Sequence, residues 1–195
     1  RFPTALLELG TTMKLIHEHA EEWNVDVKRI ILVGFSAGAH LTASLGVFYR
    51  KSWFTEKLGV TSEILKVKGM ILSYPVISSE EEIGHLPSFH NLLGERFEEL
   101  KEDLSIEKQV DEYTPPAFLW HTLKDQTVPV ENSFVMMSAL KKAGVSAELH
   151  VFPEGEHGLS LATELVRRAD GTGVQTECQK WIELADIWLR RLFGM

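Results

Sequence analysis

The chain has a single cysteine, Cys178, so no internal disulfide can form, and a lone thiol fits a reducing, cytoplasmic setting. It has no apolar run of membrane-spanning length and no signal peptide, although it begins Arg1-Phe2-Pro3 rather than with Met. Basic residues are outnumbered: 20 Lys and Arg against 28 Asp and Glu leave a net charge of −8. They cluster only in pairs such as Lys141-Lys142 and Arg190-Arg191, which read as solvated helix surface. Neither a nucleic-acid partner, which calls for a basic face, nor a membrane is therefore expected. Internal repeats and low-complexity tracts are missing too, which excludes solenoid architectures. What is there, 195 residues at 44% hydrophobic and 25% charged, has the make-up of one globular domain spanning 1–195. The composition is equally compatible with a monomer and a homo-oligomer.

The most informative stretch is Ile30-Ile31-Leu32-Val33-Gly34-Phe35-Ser36-Ala37-Gly38-Ala39-His40. Ile30 to Val33 is a continuous apolar run, as expected of a parallel strand covered on both faces. Ala37, Ala39, Leu41, Ala43 and Leu45 favour a helix. Between them lies Gly-x-Ser-x-Gly. On this reading Gly34 takes a strained dihedral and Gly38 lets the helix lie close to the strand. The turn lifts the Ser36 hydroxyl above the sheet and places the Ala37 N–H at a helix N-terminus, where a developing oxyanion is stabilised. The competing reading is a structural turn whose serine merely caps the helix.

Periodicity places a helix over Thr4 to Trp23, the Ile30 strand, a helix from Ser36 to about Arg50, and a polar-aromatic connection over Trp53 to Val60. Further strands are expected at Val67 to Tyr74, Pro116 to Thr122 and Ala147 to Phe152. A helix over Pro129 to Ala143 stops at Gly144, and a last helix runs from about Val174 to Phe193. The irregular segment 76–114 is a surface excursion or a lid over a site. Its Glu80-Glu81-Glu82 run reads as a solvated face, and its His85 and His90 read as surface residues rather than metal ligands. Strands alternating with helices define an α/β fold: a three-layer α/β/α sandwich around a mostly parallel sheet.

In such sheets, sites form beyond the carboxyl ends of the strands. Ser36 follows the first strand, Asp125 the third and His157 the fourth, all at one edge. The chemistry needs these types. A serine hydroxyl is a poor nucleophile until an imidazole takes its proton, and a carboxylate holds that imidazole in the right tautomer. Glu154 and Glu156 compete with Asp125 for the acid role but lie too near His157 in sequence to arrive from a separate strand. His121 and His150 fall inside strands and read as core or strand histidines, and His40 should point into packing. Nothing here calls for a metal or a cofactor.

The stretches Gly34 to His40, Thr114 to Thr122, Val128 to Asn132 and Glu148 to Gly158 together resemble the α/β-hydrolase superfamily. Within it the chain is most similar to the acetyl esterase/lipase group, which includes acetyl-xylan-esterase-like sugar hydrolases. The resemblance implies Ser36 as nucleophile, Asp125 as acid, His157 as base and the backbone N–H of Ala37 in the oxyanion hole. It covers only the C-terminal two-thirds of the fold. The strands that precede the nucleophile strand in that family, and the His-Gly-Gly loop that supplies a second oxyanion N–H, have no counterpart here. The resemblance therefore implies a serine carboxylesterase acting on short esters, acetylated sugars among them, with a small-molecule ester as its partner. It also implies that the Ile30 strand stands at a sheet edge. A peptidase or amidase of the same fold and a non-catalytic hydrolase-fold binding module are the alternatives.

Overall fold

The computed structural model describes all of residues 1–195. In chain order the elements are α1 (Thr4–Glu18), β1 (Ile31–Phe35), α2 (Ala37–Phe48), α3 (Ser52–Leu58), α4 (Ser62–Leu65) and β2 (Gly69–Ser73). Then follow α5 (Leu86–Leu93), α6 (Phe97–Leu100), β3 (Ala117–Thr122), α7 (Glu131–Lys142), β4 (Ala147–Phe152) and α8 (Lys180–Phe193). The four strands form one parallel sheet in the order β1-β2-β3-β4. One row across it runs Gly34–Leu72–Leu119–Leu149. Every residue of β2 and β3 is buried, whereas β1 and β4, at the edges, are partly exposed.

Side chains alternate across the sheet, so the two faces feed two cores. Met70, Leu72, Ala117 and Leu119 join residues of α1, α2 and α7 in the larger one. Ile71, Phe118 and Trp120 join Trp181, Ala185 and Trp188 of α8 in the smaller one. Helices thus cover both faces, as a parallel sheet requires. The indole of Trp120 stacks on that of Trp181 at 5.4 Å and donates to the Ser73 hydroxyl, so a large buried ring keeps its one polar atom satisfied.

The elements depart from sequence expectation in three places. The first helix stops at Glu18; Trp23, expected on its apolar stripe, is 49% exposed and stacks on His19. The Trp53 to Val60 connection is largely the helix α3, held by the buried Phe54 and ended by Gly59 in the left-handed region at φ 64°. The last helix starts at Lys180 rather than near Val174. The 76–114 segment carries Phe89, Leu93, Leu104 and Ile106 into the larger core, so it is anchored as well as superficial. No helix is long and apolar enough to cross a membrane.

Candidate active site

The turn between β1 and α2 is built on one close approach. A Cβ at Gly34 would meet the Gly38 carbonyl at 2.4 Å, Thr42 Oγ1 at 2.5 Å and the Ala39 Cα at 2.6 Å. A Cβ at Gly38 would meet nothing within 4 Å. The close packing expected of Gly38 is therefore carried by Gly34. The strain expected at Gly34 sits instead at Ser36, whose φ of 53° and ψ of −120° lie where non-glycine residues are rare. Its N–H is held by the Ser73 carbonyl at 3.0 Å. Ser36 occupies the N-cap position of α2, yet its side chain makes no capping hydrogen bond. This removes the reading of Ser36 as a helix cap and leaves its hydroxyl free. Ala37 opens α2, where backbone N–H groups lack intrahelical partners and the helix dipole favours negative charge.

The freed hydroxyl meets His157. Ser36 Oγ lies 2.8 Å from His157 Nε2, and His157 Nδ1 lies 2.6 Å from Asp125 Oδ2. A carboxylate only accepts, so Nδ1 carries the proton and Nε2 accepts from the serine. Asp125 Oδ1 accepts the N–H groups of Thr127 and Val128, both at 2.9 Å. Burial works against ionisation of Asp125, but hydrogen bonds from His121, His157 and the Val128 N–H outweigh it and hold the carboxyl well below the usual carboxylate range.

The His157 loop is tied down on several sides. Thr122 Oγ1 donates to the Gly155 carbonyl. Arg168 donates to the carbonyls of His157 and Gly158 and pairs with Glu156. Tyr74, itself at a positive φ of 37°, sets its ring edge-on against the imidazole at 4.9 Å, while its hydroxyl accepts the Ser160 N–H. The rival carboxylates are engaged elsewhere: Glu154 with Lys124, Glu156 with Arg168 and the Gly173 N–H.

The other histidines sit as follows. His40 is buried against the Leu104 carbonyl at 2.9 Å, and burial lowers its pKa. His85 contacts Ser88, His90 stacks on Phe97, and His150 pairs with Glu148. His121 is a strand residue as expected, but its Nε2 is also 3.3 Å from Asp125 Oδ2, a contact that strand periodicity gives no sign of. Beside the Ala37–Gly38 turn, an apolar cavity of about 340 Å³ lies between α1, α2 and α5, walled in part by Leu6, Leu41, Val76, Phe89 and Leu92.

A parallel sheet with a strained serine between strand and helix, covered by helices on both faces, is that of an α/β hydrolase. Residues 1–140 match the family described as BD-FAE, and the chain belongs to it. Over 162 residues it is 36% identical to an endo-1,4-beta-xylanase B of Butyrivibrio fibrisolvens, covering 82% of this chain and 25% of that protein. Over 172 residues it is 29% identical to an acetylxylan esterase of Xylanibacter ruminicola, covering 83% of this chain and 32% of that protein. The chain therefore spans a third or less of the length of these curated relatives. Among solved structures, an acetyl ester-xyloside bifunctional hydrolase from Caldicellulosiruptor lactoaceticus superposes with a TM-score of 0.74 at 38% identity, covering 95% of this chain and 67% of that one. A carboxylesterase from Lactobacillus plantarum superposes with a TM-score of 0.83 at 28% identity, covering 97% of this chain and 68% of that one.

Proposed function

We propose that this chain carries the nucleophile, base and acid of a serine carboxylesterase that hydrolyses short-chain esters, acetyl esters of sugars foremost. The observation that carries the reading is the continuous run of hydrogen bonds Ser36–His157–Asp125. Ser36 Oγ attacks the ester carbonyl as His157 Nε2 takes its proton, and the oxyanion forms against the Ala37 N–H. The imidazolium is stabilised by Asp125 and gives its proton to the departing alkoxide, leaving an acyl-serine. Water then attacks the acyl group, with His157 again as base, and releases the acid and free Ser36. The steps need no metal or cofactor. The substrate class follows the esterase and xylan-esterase names of the relatives, and the proposed setting is the cytoplasm, in keeping with the lone thiol of Cys178. Hydrolysis of p-nitrophenyl acetate and labelling of Ser36 by a fluorophosphonate test the reading. Absence of Ser36-dependent turnover on any short ester would sink it.

One observation favours a second reading of the acyl group. The apolar cavity beside Ala37 is far larger than an acetyl methyl needs. If it receives the acyl chain, kcat/KM should rise from p-nitrophenyl acetate to the hexanoate. A fall along that series keeps the short-chain assignment.

A further inference from the structure

Asp125 is held asymmetrically. Two backbone N–H groups fix Oδ1, which leaves the carboxylate free to pivot about that oxygen unless Oδ2 is also fixed. His157 alone is a weak hold, because it meets Oδ2 through a single hydrogen bond from the loop that follows β4. The group placed behind Oδ2 is His121. Its ring is fully buried in β3, with Nε2 3.0 Å from the Val128 carbonyl and 3.3 Å from Asp125 Oδ2. Both neighbours of Nε2 only accept, so Nε2 carries a proton, directed at the Val128 carbonyl with the carboxylate on its flank. At the other end of the ring, Nδ1 lies 2.8 Å from Ser133 Oγ. Ser133 is buried and its hydroxyl makes no other hydrogen bond, so its proton goes to Nδ1, and one tautomer satisfies every polar atom of the pair.

We propose that His121 is a positioning residue for the reaction, with its Nε2 edge bracing the Asp125 carboxylate and the acid turn and Ser133 anchoring the far end of its ring. This rests on the triad reading above. Val128 closes the loop: its N–H donates to Asp125 Oδ1 while its carbonyl takes the His121 proton. One imidazole thus braces the turn that presents the acid and the acid's inner oxygen together. His121 does not touch the reacting atoms, so it acts on the rate through the orientation of His157, not on substrate binding.

Two near-isosteric substitutions separate this role from simple core packing. A glutamine amide reaches the Nε2 position, and an asparagine amide only the Nδ1 position. In the full chain, counted per fluorophosphonate-reactive Ser36, His121→Asn should lower kcat on p-nitrophenyl acetate by about ten- to a hundredfold, with KM within about twofold. His121→Gln should restore most of that loss. The proton between His157 Nδ1 and Asp125 Oδ2 supplies a readout independent of turnover. Its far-downfield NMR resonance should be sharp in the wild type and the Gln variant and broadened away in the Asn variant. Equal behaviour of the two folded variants, or an Asn variant with wild-type kcat and resonance, overturns the proposal. Should the Asn variant fail to fold, Ser133→Ala carries the test: it removes the partner of Nδ1 and so frees the far end of the ring with His121 in place, and an unchanged kcat and resonance there overturn it as well. If the wild type shows no Ser36-dependent turnover, the esterase reading falls, and the resonance in the same variants decides the role of His121.

Discussion

Ser36 and His157 are 121 residues apart in the chain and 2.8 Å apart in space. If that contact is the proton-transfer step, Ser36→Ala or His157→Ala should each lower kcat by about 10⁴-fold or more, with the fold intact. The double variant should be scarcely worse than either single, because members of such a unit fail together. Steady-state kinetics on p-nitrophenyl acetate, with circular dichroism as the folding control, check this. Multiplicative losses would mean that the two residues act independently.

Asp125 leads to a pH prediction. Its carboxyl is fully buried and held below its ordinary range, so the native state favours the ionised form. A depressed carboxyl contributes stability that is fully present above the unfolded value, about pH 4, and is lost as the pH falls below it toward the folded value. Urea denaturation should therefore show the wild type losing about 1 kcal/mol more than Asp125→Asn between pH 7 and pH 3. At pH 7 the Asn variant should also lose about 10³- to 10⁴-fold in kcat, because an amide facing His157 Nδ1 favours the wrong tautomer. Activity within about tenfold of wild type would remove Asp125 from the acid role.

The three residues of the run could be read from the chain because each follows a strand, and parallel strands deliver their carboxyl ends to one edge. The Gly-x-Ser-x-Gly turn was legible for the same reason, but the division of labour within it was not. Which glycine meets the helix backbone depends on the path of the turn in space, and the contact falls at Gly34. The helix α3 was hidden because two turns show only Phe54 and Leu58 at i, i+4, too short a stretch for periodicity to register. His121 was hidden more deeply. Its contact with Asp125 is made across the end of a strand and through a turn, where neither a period of 2 nor one of 3.6 applies.

Asn132, the last residue of the Val128 to Asn132 stretch, carries a structural task. It is fully buried in α7. Its Oδ1 accepts the N–H groups of Ile77 and Ser78, and its Nδ2 donates to the carbonyls of Ile83 and Pro129. One amide thus clips the start of the 76–114 segment to the helix that follows the Asp125 turn. Asn132→Leu would strand the buried N–H groups of Ile77 and Ser78 and the half-buried Ile83 carbonyl, while the Pro129 carbonyl keeps the backbone N–H of residue 132. At about 1 kcal/mol or more for each stranded group, the loss should be roughly 2–4 kcal/mol, read as a lower urea midpoint at unchanged m-value. A loss under about 1 kcal/mol would show that water or a shifted backbone replaces the clip.

The last prediction concerns β1. It is an edge of the sheet, bonded to β2 on one side only. Edge strands that stay soluble are usually blunted by charge, proline or a bulge. Ile31–Phe35 has no charge and no proline, and its pairing with β2 runs without interruption through five consecutive positions, so no bulge bends it away. Val33 projects from this edge and is 49% exposed, while its facial neighbours Ile31 and Phe35 pack against the smaller core. The outer side of β1 is therefore a flat apolar template with free backbone donors and acceptors. This 195-residue chain, produced alone, should self-associate as its concentration rises. Val33→Lys should suppress that association, because a lysine there must keep its ammonium in water and so opposes a second strand docking on the same edge. Sedimentation velocity across a concentration series reads both effects. A wild-type chain that stays monomeric throughout, or a Val33→Lys variant that associates as strongly as the wild type, would show that the open edge of β1 is not the route.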